Sequence, residues 1–258
     1  MRTVPVVLAC ALLLGARPAA AADAAAAPRA TGPDTAFVQL GEPGTGTHAF
    51  VARPAGQPVA AIVVVHEWWG LNTQIRGIAL RLASQGYLAI VPDLYHGKVA
   101  TEAENAHELM RALDDERALA DLDAAAAWIR AQPGRAKSRI GVLGFCMGGS
   151  HALQFALHSS SVAAVVMFYG RPVTDSEKLA ALKAPLLAHF GALDQGLGPD
   201  RAEEFKTALE EARKDASVHV YPGAGHAFMN EARDSYHPDA ARLAWARTLA
   251  FFQKTLKG

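Results

Sequence analysis

Apolar residues in this chain fall into short blocks, and the spacing inside a block changes from one block to the next. Ala60 to Val65 is an unbroken apolar run, mostly β-branched, the pattern of a strand covered on both faces. Tyr87–Val91, Arg139–Gly144, Val162–Phe168, Pro185–Phe190 and Ser217–Tyr221 predict further strands. Phe37–Leu40 and Thr47–Ala52 alternate instead, and Pro43, Gly44 and Gly46 between them supply turn chemistry, so an early hairpin is expected. Helical spacing takes over between the strands. Thr73–Ser84 puts Ile75, Ile78, Ala79 and Leu82 on one face, and Thr101–Arg130 reads as two helices meeting near Asp114. Ser150–Leu157, Asp175–Leu182, Pro199–Lys214 and Asp239–Lys257 complete the series. Strands alternating with helices at this spacing imply parallel pairing through right-handed crossovers, an α/β class with helices on both faces of a mostly parallel sheet. Reactive groups in such a fold belong in loops at the carboxyl ends of the strands.

The first residues break this rhythm. Met1-Arg2-Thr3 is a short basic start, Val4 to Gly15 is apolar, Arg17-Pro18 interrupts, and Ala19 to Ala22 offers small residues for cleavage. That is the pattern of a secretory signal peptide over residues 1–22, and the run is shorter than the ~20 apolar residues a membrane span needs. Residues 23–33, rich in Ala, Pro and Gly, read as a flexible linker, leaving 34–258 as the folded domain. A periplasmic or secreted protein is expected, with no stable membrane insertion after cleavage; lipid attachment at Cys10 is the alternative. Basic and acidic residues balance at 25 each, and loss of Arg2 and Arg17 with the leader leaves a net charge of −2. No basic field favours nucleic acid, and a monomer acting on a small molecule without a cofactor is expected. Cleavage would also leave Cys146 as the lone cysteine, a free thiol in an oxidising compartment.

That cysteine lies in Gly144-Phe145-Cys146-Met147-Gly148, a G-x-C-x-G between a predicted strand and a predicted helix. A nucleophile elbow needs this strand–turn–helix context, with flanking glycines that let the backbone turn sharply. Such an elbow should be followed in the chain by an acid and then a histidine. Asp194 follows the strand ending at Phe190; Asp175 and Asp200 are rivals nearer helix starts, where capping is the expected role. His226 lies in Gly223-Ala224-Gly225-His226-Ala227-Phe228, just past Tyr221, whereas His219 is inside a strand and His237 precedes a proline. A free thiol titrates near ~8.5, so it needs an imidazole to take its proton and a carboxylate to orient that ring. Backbone N–H groups of Met147 and Trp68 are the expected oxyanion donors, the second from His66-Glu67-Trp68-Trp69-Gly70 after Val65. His66-Glu67 opens like H-E-x-x-H, but Gly70 stands where the second histidine belongs, so no metal site is expected.

Taken together, Gly-Phe-Cys-Met-Gly, His66-Glu67-Trp68-Trp69-Gly70-Leu71-Asn72, Pro92-Asp93-Leu94-Tyr95 and Gly225-His226-Ala227-Phe228 resemble the dienelactone hydrolase family, over about Thr45 to Gly258. The resemblance implies an α/β-hydrolase fold, a Cys-His-Asp triad acting on lactones or esters, and a glutamate that helps switch the thiol between protected and activated forms. That glutamate maps to Glu67. It also implies arginines that grip a substrate carboxylate, one just after the Asp-Leu-Tyr segment and one a few residues after the histidine. Here those stretches read His96-Gly97-Lys98 and Met229-Asn230-Glu231-Ala232-Arg233, so neither matching place holds arginine. Trp69, Tyr95 and Phe228, with Trp68, are the expected wall of an apolar substrate pocket. The competing reading is a non-catalytic binding relative whose lone thiol senses oxidation.

Overall fold

The computed structural model describes Met1 and residues 32–42, 46–133 and 139–257. The expected leader after Met1, with Cys10, nearly all of the linker and the hairpin turn at 43–45 lie outside the described residues. Eight strands form one sheet: β1 (Asp34–Gln39), β2 (His48–Arg53), β3 (Ala60–Val65), β4 (Tyr87–Pro92), β5 (Ile140–Phe145), β6 (Val162–Phe168), β7 (Leu186–Gly191) and β8 (Ala216–Tyr221). Their order across the sheet is β1-β2-β4-β3-β5-β6-β7-β8. β1 pairs antiparallel with β2, and β2 with β4; every pairing from β4 to β8 is parallel. This is the expected hairpin joined to a parallel sheet.

Period-two alternation in the buried strands divides the core in two. Ala61, Val63 and Val65 of β3 face one cluster, while Ala60, Ile62 and Val64 face the other. The first is covered by α3 (Asp115–Ala131), α4 (Met147–His158), α5 (Ser176–Leu179) and α6 (Pro199–Glu211). The second is covered by α1 (Thr73–Ser84) and α7 (Pro238–Leu256). α2 (Ala103–Ala112) ends before Asp114, whose side chain caps α3 by accepting from Arg117 N–H, so the predicted break falls where expected. Asp175 caps α5 and the His237 ring caps α7. Asp200 lies one residue inside α6, whose N-cap is Gly198. Several boundaries differ from the sequence reading by up to three residues, among them the start of β1 at Asp34 and the end of α6 at Glu211. α4 starts at Met147 rather than Ser150, because Gly148 and Gly149 are drawn into the helix where it presses on the sheet. α5 is a single turn ending at Leu179 instead of reaching Leu182. Among the described residues, no helix is long and apolar enough to cross a membrane.

Candidate active site

Cys146 sits at the tip of the β5–α4 turn with φ 53° and ψ −120°, a left-handed conformation that L residues rarely occupy. Its neighbours make that turn possible. A Cβ on Gly144 would meet the Gly148 carbonyl oxygen, and one on Gly148 would run into the carbonyl oxygens of Val65 and His66. The Cys146 N–H donates to the Phe168 carbonyl at 3.0 Å, and its side chain is partly exposed.

The loops after β7 and β8 bring Asp194 and His226 to this sulfur. His226 Nε2 is 3.1 Å from Cys146 Sγ, and its Nδ1 is 2.7 Å from Asp194 Oδ2. The other carboxylate oxygen of Asp194 accepts from the Gly196 and Leu197 N–H groups at 3.0 Å each. Burial opposes charge on the imidazole, but its bonds to Asp194 and Cys146 outweigh that cost and push its pKa up to about 10. Burial likewise works against the Asp194 carboxylate, and the bonds from His226, Leu197 and Gly196 reverse it, holding the group below its usual range. His219 stays inside β8 and stacks beside His189, away from this trio.

The turn after β3 supplies the opposite wall. Among the described residues, neither the Trp68 N–H nor the Met147 N–H donates to any protein acceptor. Tyr95 is buried, with its hydroxyl donating to Met147 Sδ at 3.4 Å. Trp69 is buried beneath the Arg233 guanidinium, whose carbon lies 3.4 Å from the indole centroid. Trp68 is partly exposed and packs perpendicular to the His107 ring, with centroids 4.5 Å apart. Phe228 differs from the expectation of a pocket wall. It is fully buried against Phe168, Tyr169 and Tyr221, because the turn that carries His226 folds back onto the apolar cluster covered by α7 and takes the Phe228 ring into it.

Glu67 is also buried, and both its oxygens are engaged. Tyr169 Oη donates to Oε1 at 3.0 Å and Asn230 Nδ2 to Oε2 at 2.6 Å. Burial raises its pKa; those two bonds, with the charges of His226 and Arg233, oppose the rise. No hydrogen bond joins Glu67 to the Cys146 sulfur among the described residues. Tyr169 and Asn230 were not singled out in the sequence. The only signal for Tyr169 is its place just past β6, at the carboxyl edge where the other site residues gather; it also has φ 38° and packs edge-on against His226 at 5.2 Å. Among the described residues, no group of three or more His, Cys, Asp or Glu is arranged to hold a metal ion.

Residues 47–256 match the model of the dienelactone hydrolase family. A Bradyrhizobium protein named "Probable 2-oxo-3-(5-oxofuran-2-ylidene)propanoate lactonase" is 32% identical over 237 residues, covering 86% of this chain and 95% of its own length. One from Methylorubrum extorquens, named "Putative carboxymethylenebutenolidase", is 36% identical over 221 residues, covering 80% of this chain and 76% of its own. Among solved structures, one named "Putative Dienelactone Hydrolase", from Klebsiella pneumoniae, superimposes with a TM-score of 0.79 at 32% identity, covering 86% of this chain and 99% of that one. On the family match, the shared fold and these relatives, the chain belongs to the dienelactone hydrolase family of α/β-hydrolases and is a dienelactone hydrolase-like enzyme.

Proposed function

We propose that this enzyme cleaves carboxylic esters or lactones with Cys146 as nucleophile, His226 as proton carrier and Asp194 as the carboxylate that orients the ring. The single observation that carries this reading is one imidazole bridging the sulfur at 3.1 Å and a buried carboxylate at 2.7 Å. A ring that stays protonated up to about pH 10 is the partner a thiolate needs. The sulfur attacks the carbonyl carbon, a C–S bond forms, and the carbonyl electrons move to oxygen. Trp68 and Met147 N–H groups, unclaimed by the protein, receive that oxyanion. On collapse the C–O bond breaks and the departing alkoxide takes the His226 proton, leaving a thioacyl-enzyme. In a lactone the new alcohol stays tethered to the acyl group. Water then gives a proton to His226 while its oxygen attacks the thioester; release of the acid restores thiolate and imidazolium.

The substrate is a small molecule, with Trp68, Trp69 and Tyr95 as the apolar wall beside the nucleophile. The lactonase and carboxymethylenebutenolidase names of the relatives support a lactone. The basic, apolar and small-residue stretches of residues 1–22 support export to the periplasm or medium; amino-terminal sequencing of the exported protein should begin near Asp23. Turnover of p-nitrophenyl acetate tests the chemistry. Cys146→Ala should lose at least ~10³-fold in kcat, since the residual rate comes only from binding and the oxyanion donors. Intact mass should show an acetyl adduct on Cys146 in wild type alone. Equal turnover in the two proteins would remove the proposal, and would favour the non-catalytic thiol reading.

A further inference from the structure

His66 is fully buried and takes no part in the proton transfers above. Its hydrogen bonds fix its tautomer. The Leu94 N–H donates to Nε2 at 3.2 Å, so that nitrogen carries no hydrogen. The proton is therefore on Nδ1, which lies 2.7 Å from the Glu67 carbonyl oxygen and donates to it. Burial lowers the pKa of this ring, against the raising effects of its bond to Glu67 and the Asp93 charge, with His151 adding to the lowering. A neutral imidazole thus ties the turn after β3 to the turn after β4. The second turn is itself anchored: Asp93 accepts from the Tyr95 and Gly97 N–H groups, and Thr47 donates to the Asp93 carbonyl.

The consequence lies in one peptide group. The Glu67 C=O and the Trp68 N–H belong to the same planar trans peptide unit and point in opposite directions. Holding the carbonyl oxygen therefore aims the N–H. His66 Nδ1–H holds that oxygen on one side and the Gly70 N–H on the other, at 3.1 Å. The Trp68 N–H on the far side has no acceptor among the described residues. We propose that His66 is a positioning residue: by gripping the Glu67 carbonyl it fixes the plane of the Glu67–Trp68 peptide and aims the Trp68 N–H at the developing oxyanion. This rests on the thioacyl reading above.

Side-chain length separates the two bonds. Asn places an amide N–H near the position of Nδ1 and keeps the grip on Glu67. Gln reaches the position of Nε2 and keeps the acceptor for Leu94. Loss of a single oxyanion donor costs about 10²–10³-fold in kcat, so misaiming one should cost His66→Gln roughly 10–100-fold on p-nitrophenyl acetate, with KM unchanged. His66→Asn should stay within about 10-fold of wild type, although it leaves the larger void. His66→Leu lacks both groups at similar volume, carries the same expectation as Gln, and stands in for it if that variant does not fold. Alkylation of Cys146 by iodoacetamide forms no oxyanion, so its rate should match wild type in every folded variant. Equal kcat for Asn and Gln, kcat ordered by thermal stability instead of by the retained N–H, or a change confined to KM would overturn the proposal. Cys146→Ala turning over ester at the wild-type rate would instead overturn the thioacyl reading beneath it.

Discussion

Glu67 is a carboxylate with almost no access to water, 4% exposed, yet it stands beside a cationic imidazole. Burying a carboxylate is costly unless its oxygens are hydrogen-bonded, and here each oxygen has one side-chain donor. Tyr169 therefore does more than pack. Its ring lies edge-on to His226 while its hydroxyl holds Glu67, so one side chain keeps both groups in place. Tyr169→Phe keeps the ring and deletes the donor. Bonds to charged groups contribute roughly 1.5–3 kcal/mol, so urea unfolding at neutral pH should show a loss of about that size. At pH 3 a protonated Glu67 has less need of the donor, and the loss should shrink; a loss of the same size at both pH values would show that Glu67 is not its origin. Asn230→Ala should behave alike, since it leaves Oε2 bare.

At the level of elements, the β5–α4 turn is where sequence and geometry are most tightly bound. β5 delivers the chain to Cys146 at the sheet edge, and α4 must leave it while pressed against β3 and β6. Only a residue without a side chain fits at Gly148, because the obstacles to a Cβ are backbone carbonyls of β3 and the following turn. Gly148→Ala must push α4 away from the sheet, and overpacking of this kind costs ~1–3 kcal/mol. Ester turnover should fall along with it, since the same displacement moves the Met147 N–H. Gly77 is the internal contrast. It lies within α1, and a Cβ there would meet nothing within 4 Å. Gly77→Ala should raise stability by ~0.5–1 kcal/mol through helix propensity alone, with turnover unchanged. Opposite signs in two urea titrations check both claims; equal effects would mean that neighbouring backbone does not govern the elbow.

Over the whole molecule, Cys146 packs at the seam between the two cores, touching the apolar cluster on each face of the sheet. The strand–helix rhythm and the order Cys146, Asp194, His226 were legible in the sequence because both are carried along the chain: local spacing sets the elements, and the three residues follow the carboxyl ends of β5, β7 and β8 in turn. The partners of Glu67 were not legible, because Tyr169 and Asn230 lie 102 and 163 residues away in the chain and meet it only once the sheet is assembled. The inward turn of Phe228 and the tautomer of His66 were hidden for the same reason. That assembled edge also couples the global fold to pH. His226 titrates near 6.5 when free and at about 10 here, so its contribution to stability is complete below pH ~6.5 and is lost as pH rises through about 10. Asp194 is shifted downward, so its contribution is present above its ordinary value near ~3.9 and is lost as pH falls through the lowered one. Between roughly pH 4 and 6.5 both contributions stand together. The urea midpoint of wild type should therefore exceed that of His226→Gln by its widest margin near pH 5.5, and the margin should narrow at pH 10.5. A margin that is the same at both pH values would mean that the bonds from His226 to Asp194 and Cys146 do not stabilise the imidazolium in solution.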